Sequence, residues 1–174
     1  RGKSDDDIMN LPDMTRNEKL AAMNILNILA VVCYWGNKDL FPFIVLRMMK
    51  LTLQHGLSAI SSMAFCTFAV ITNATGDRSG GYRYSCLGLS ILEDRYTIVK
   101  HDWMSRVHTV HYGMIASWYF PLRETMEKLY LSYKSGKGYG DREFTMVALF
   151  MYCRGTLVSG RPLLEQEYTV RSAV

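Results

Sequence analysis

The chain is 174 residues long, 49% apolar and 21% charged, with a formal net charge of +4. That is enough apolar material for a sizeable core, in one domain or a short stack of repeats, and it excludes a disordered chain. The basic residues, among them Arg47, Lys50, Arg78, Arg106 and Arg154, are scattered, so neither a nucleic-acid arm nor a polybasic membrane patch is indicated.

At the N-terminus, Gly2-Lys3-Ser4 imitates the end of a phosphate loop, but its upstream half is missing and Asp5, Asp6 and Asp7 follow at once. Adjacent carboxylates would repel a triphosphate. Residues 1–14 are therefore expected as a polar connector, and a chain that starts at Arg1 rather than Met is expected to be a fragment of a longer one. Thr15-Arg16-Asn17-Glu18 has the form of a capping box, after which Ala22, Ile25, Leu26, Leu29 and Cys33 recur at the spacing of one helical face. A second helix is expected with Phe41, Ile44, Val45, Met48 and Thr52 on one face, Pro42 in its first turn and Gly56 at its end. Ser58 is placed to cap a third, through Met63, Phe65, Phe68 and Ile71 to Gly76. Asp77 or Ser79 opens a fourth, and a fifth covers about Lys100 to Trp118. Pro121 starts a sixth, with Leu122, Met126, Leu129 and Tyr133 one above another. Gly138 and Gly140 stop it, Asp141 caps a seventh that Gly160 ends, and Pro162 begins the last. Alternation of period two is never sustained, so the expected fold class is all-α.

Two uncharged runs bear on the membrane question. Leu20 to Trp35 contains Asn24 and Asn27 and falls short of the roughly 18 apolar residues a span needs. Gly56 to Gly76 is long enough but carries Ser58, Ser61, Ser62, Thr67 and Thr72. Both are read as helices buried between neighbours, and no membrane partner is expected. Cys33, Cys66, Cys86 and Cys153 are widely separated, lie in apolar helical patterns and form no C-x-x-C pair. They read as small buried hydrophobes in a reducing, cytoplasmic setting.

The stretch "TGDRSGGYRYS", Thr75 to Ser85, invites a phosphate-binding reading, but it lacks the G-x-x-x-x-G-K-[ST] order that such a loop requires. Gly-Asp recurs instead at two helix junctions, Gly76-Asp77 and Gly140-Asp141. In each, glycine can take the positive φ that stops one helix while aspartate caps the next. Pairing the helices gives hairpins that begin near Thr15, Ser58, His101 and Asp141, a period of about 40 residues. The expected architecture is an α-solenoid of about four antiparallel, tetratricopeptide-like hairpins over residues 15–174.

Candidate chemistry is thin. His101, His108 and His111 can line one side of the fifth helix, yet no third Cys or Glu ligand is near them, so no metal is expected. A phosphotransfer bundle is disfavoured by the hairpin count, and no G-x-S-x-G elbow or Cys–base pair appears. His108, His111, Tyr112, Trp118 and Tyr119 remain as possible groove- or pocket-lining residues, with no catalytic residue and no cofactor expected.

Three stretches carry a resemblance: "GKSDDDIMNLPDMTRNEKLAAMNIL", "PLRETMEKLYLSYKSGKGYGDREF" and "YCRGTLVSGRPL". Their most specific pieces are Leu11-Pro12 with Met14, Lys19 to Met23, Pro121 to Thr125, and Ser159-Gly160 with Pro162-Leu163. They resemble the helical-repeat segment of large multidomain signalling proteins. Those proteins fuse a serine/threonine kinase-like domain, an AAA/STAND-type ATPase, a tetratricopeptide-like solenoid, a GAF domain and often a histidine kinase. The resemblance implies a cytoplasmic, non-enzymatic scaffold that contacts a protein partner or the neighbouring domains of its own chain. The family's ATP-binding and phosphotransfer motifs lie in those other domains, so no catalytic residue carries over. An all-helical small-ligand sensor, its pocket lined by Tyr112, Trp118 and Tyr119, is the alternative. Nucleic-acid binding is set aside by the diffuse charge.

Overall fold

A computed structural model describes residues 4–160, 162–164, 167, 168 and 171. Among them all regular structure is helical, and an isolated bridge joins Asp13 to Leu57. In order, the helices are α1 (Asp5–Met9), α2 (Asn17–Gly36), α3 (Phe41–His55), α4 (Ala59–Ala74), α5 (Arg78–Ser90), α6 (Lys100–Val110), α7 (Leu122–Tyr139) and α8 (Arg142–Val158). A π-helical turn, Ile91–Arg95, extends α5. After α6 come a second π turn, His111–Ile115, and a single 3-10 turn, Ala116–Trp118. The fold class is therefore all-α. Two units divide the chain, Arg1–Trp103 and Met104–Val174.

In the first unit α4 is the central helix, with every residue from Ile60 to Thr67 buried. Ser58 starts it through a capping box: its hydroxyl accepts a backbone N–H of the first turn, and its own N–H donates to Ser61 Oγ at 3.0 Å. Such a cap satisfies two of the amide donors that a helix start leaves without partners. The buried polar pair Thr52–Ser61, at 3.1 Å, then ties α3 to α4. Along the α4–α5 seam, Gly81, Ser85 and Gly88 form a row of small residues at i, i+4, i+7. A Cβ on Gly88 would lie 2.6 Å from the Ser62 carbonyl oxygen and 2.7 Å from Cys66 Sγ. The glycine-rich stretch thus acts twice, as a turn at Gly76 (φ 99°) and as a close helix crossing beyond it.

The described part of the expected connector, residues 4–14, is ordered against this unit. Ser4 Oγ accepts from Asp7 N–H and Asp7 Oδ2 accepts from Ser4 N–H, so α1 carries its own capping box. Ile8 and Met14 enter the core. Met14 N–H donates to Leu57 O at 2.6 Å, and Leu57 N–H returns a bond to Pro12 O at 2.8 Å. Gly2 and Lys3 lie outside the described residues.

In the second unit, Met126, Leu129 and Tyr133 of α7 pack on Ala148, Leu149 and Tyr152 of α8. Gly140 is left-handed (φ 81°) and Asp141 caps α8, accepting from Phe144 N–H at 3.4 Å.

Several local expectations are corrected. Thr15 does not cap α2: the bridge at Asp13 keeps the chain extended through Arg16, which takes the cap position without a side-chain bond. The face of α2 that enters the core is Met23, Asn27, Ala30 and Cys33, while Ile25 and Leu29 are exposed. A helix apolar on all sides gives periodicity no single face to report. The expected fifth helix breaks after Val110, Pro121 precedes α7 rather than starting it, and Gly138 lies inside α7. Of the last expected helix, Pro162 is not helical, Leu163, Leu164, Glu167, Tyr168 and Arg171 are, and the rest lies outside the described residues.

Candidate interaction surface

α6 and the π turn that follows it position the histidines. His101 is exposed, whereas His108 and His111 are each only 4% exposed. Tyr112 packs edge-on against both imidazoles, with ring centroids 5.4 Å from His108 and 4.6 Å from His111. The three therefore form one aromatic cluster. Among the described residues no group of three His, Cys, Asp or Glu side chains is placed to hold a metal.

Tyr112 also lines a cavity of about 90 Å³ between Leu122, Met126 and Leu129 of α7 and Met151 and Gly155 of α8. That is the share of about three waters in the liquid, well below the several hundred Å³ of a typical metabolite pocket. Trp118 and Tyr119 are not among its lining residues and face solvent, at 62% and 41% exposure. Of the five residues singled out in the sequence, the fold brings three together and leaves two at the surface.

A larger concavity lies in the first unit, where Met49, Phe65 and Phe68 floor a groove of about 730 Å³ walled by Leu46, Leu53 and Tyr84. Lys50, Gln54 and Arg83 edge it. Arg83 is committed elsewhere, since its Nε and Nη2 donate to the Asp5 carboxylate at 2.6 to 3.0 Å. The charge bias of this groove therefore comes from Lys50 alone among its lining residues.

Two helices among the described residues also expose apolar faces. α2 exposes Ile25, Ile28, Leu29, Val32 and Trp35 opposite its buried side. α8 buries Phe144, Ala148, Leu149 and Tyr152 while exposing Met146, Phe150 and Leu157. Sequence reasoning placed Ile25 and Leu29 on the core face of α2 and named no face for α8, so it missed both outer rows. The available signal was that no single stripe in α2 holds all of its apolar residues. By length and composition α2 is also apolar enough to cross a bilayer.

One ion pair escaped the sequence reading as well. Arg106 Nε and Nη2 donate to the two oxygens of Asp141 at 2.8 and 3.1 Å, with 22% and 9% of the side chains exposed. The guanidinium also lies over the Phe144 ring at 4.9 Å. One carboxylate thus caps α8 and anchors α6 to it. The sequence matches no family model, no curated protein and no solved structure.

Proposed function

We propose that this chain is a non-catalytic helical-repeat scaffold, with hairpins stacked in a tetratricopeptide-like solenoid, that makes protein–protein or interdomain contacts in a cytoplasmic signalling protein of the kind it resembles. The observation that carries the reading is the double-faced character of α8. It packs Phe144, Ala148, Leu149 and Tyr152 into its own unit and holds Met146, Phe150 and Leu157 out to solvent, each more than 60% exposed. Helices of stacked repeats meet neighbours on both sides and require such a pattern, whereas an isolated surface helix carries polar residues outside. A scaffold between signalling domains acts only if its contacts favour one arrangement of them over another.

The test compares kinase output of the full parent protein with that of a version lacking Leu11 to Val174 and one carrying Phe150→Asp. Both changes are expected to alter regulation, while the purified segment turns over no ATP. ATP turnover by the segment, abolished by substituting one of its own side chains, would overturn the scaffold reading. Unchanged regulation in both variants would reduce the segment to a spacer.

A further inference from the structure

We infer that the outer face of α2 is a self-association surface, on which a second copy of this chain packs its own α2 antiparallel about a two-fold axis at Ile28. α2 is 20 residues long, and between Lys19 and Lys38 it has no charged residue. Its solvent side carries Ala21, Ile25, Ile28, Val32 and Trp35, spaced 4, 3, 4 and 3 residues apart. Leu29 widens the row, and Ile25, Ile28, Val32 and Trp35 are each about 60% exposed.

The row is self-complementary only when reversed. With Ile28 on the axis, Trp35 of one helix falls opposite Ala21 of the other, and Ile25 falls beside Val32. The largest side chain thus meets the smallest at both ends, as interdigitated helix packing demands. A parallel arrangement would instead set Trp35 against Trp35 and Ala21 against Ala21. In the antiparallel register the two-fold axis repeats the Trp35–Ala21 contact at both ends.

Size decides what kind of dimer this is. The exposed part of the row amounts to roughly 500 Å² per copy, so the pair buries about 1,000 Å², the lower bound of specific interfaces. An interface of this size belongs to weak, reversible association rather than to an obligate dimer. This inference goes beyond the scaffold reading and does not depend on it.

The experiment is sedimentation equilibrium of the 174-residue chain from micromolar to millimolar concentration, with circular dichroism of every variant. A monomer–dimer equilibrium is expected. Ile28→Glu should abolish it without loss of helicity, because Ile28 is 61% exposed and outside the core. Ala21→Trp, which sets two large side chains against each other at both ends of the row, should weaken the dimer about tenfold, and Ala21→Trp combined with Trp35→Ala should restore it. Ile28→Cys should be joined to itself across the axis by a short thiol cross-linker. A chain that stays monomeric at millimolar concentration, a dimer indifferent to Ile28→Glu, or growth into open-ended oligomers would overturn the proposal. So would co-sedimentation with phosphatidylcholine–phosphatidylserine vesicles that Ile28→Glu abolishes, since the occupant would then be a lipid surface.

Discussion

The α4–α5 hairpin of the first unit and the α7–α8 hairpin of the second open on the same two residues, Gly76-Asp77 and Gly140-Asp141, yet their seams are built differently. Both glycines have positive φ, and both aspartates accept a backbone N–H of the following helix. Beyond the junction, the first seam is backbone against backbone. Gly81 and Gly88 admit the Ala69 and Ser62 carbonyls of α4, a helix buried along most of its length. The second seam is filled by side chains: a Cβ on Gly155 would meet Met126, and one on Gly136 would meet Thr145 and Ser105. A junction motif fixes how the chain turns and leaves open how the two helices then touch.

The largest expected effect sharpens that difference. Gly88→Ala forces a methyl group against the Ser62 carbonyl of a helix that has no room to shift, and should destabilise the first unit by about 3 kcal/mol. Gly155→Ala meets only the thioether end of Met126, which can rotate away, and should cost about 1 kcal/mol or less. Thermal or urea unfolding of both variants measures the gap. Equal losses would mean that the two seams are equivalent after all.

The aspartates come next. Asp141→Ala removes a cap and leaves the mostly buried Arg106 guanidinium to the more distant, half-exposed Glu143 carboxylate at 4.0 Å, an expected loss of about 2 kcal/mol. Asp77 is exposed and its carboxylate serves as a cap to Gly80 N–H at 2.9 Å, so Asp77→Ala should cost about 1 kcal/mol. Arg106→Met tests the same pair from the other side. If the ion pair rather than the cap dominates, it should lose more than Asp77→Ala does.

These contrasts also measure how far the sequence could be read. The junctions were legible because glycine's positive φ and aspartate's capping are local chemistry. The Met126–Tyr133 face was legible because it alternates with mostly polar residues at helical spacing, and the Phe41–Thr52 face because Arg47 and Lys50 mark its outer side. The face of α2 was not, since Ile25 and Met23 are equally apolar and only packing decides which one enters the core. The Thr15 cap failed for a tertiary reason, as the Asp13–Leu57 bridge delays the helix start by a residue. Of the possible lining residues, His108, His111 and Tyr112 come together through helical spacing and a π turn, while Trp118 and Tyr119 fall beyond that turn. Arg106 meets Asp141 across 35 residues, a separation that no window of local pattern spans.

A smaller effect separates the two glycines once expected to share the end of α7. Gly140→Ala must hold an L-residue at φ 81° and should cost about 1 kcal/mol. Gly138 lies within the helix, and a Cβ there would meet nothing within 4 Å. Gly138→Ala should therefore stabilise the second unit by about 0.5–1 kcal/mol, the usual helix-interior gain. Opposite signs in the same unfolding experiment support this assignment; losses of equal size would restore both glycines as helix stops.

The smallest expected effect concerns the N-terminal latch of the first unit and its dependence on pH. The Tyr96 hydroxyl donates to Asp13 Oδ1 at 2.6 Å and Arg95 Nη2 donates to the same oxygen at 2.9 Å, while Arg95 Nη1 reaches Met9 O. Tyr96 first, and Arg95 after it, hold the Asp13 carboxyl below the ordinary carboxylate range against the opposing cost of its slight burial. A carboxyl with a depressed folded-state pKa stabilises the fold fully above its unfolded value. That contribution disappears as pH falls through the lower folded value. The window therefore lies below about pH 4. Asp13 is 63% exposed, so the latch is worth about 0.5 kcal/mol, on the scale of solvent-screened pairs. Tyr96→Phe removes the principal donor while keeping the ring. Its deficit relative to the parent should be constant from pH 7 to pH 5 and should shrink as the pH falls below 4, when the parent's carboxylate is itself protonated. A deficit that persists unchanged at pH 2.5 would mean that Tyr96 acts through packing, and that the latch is no more pH-dependent than the rest of the unit.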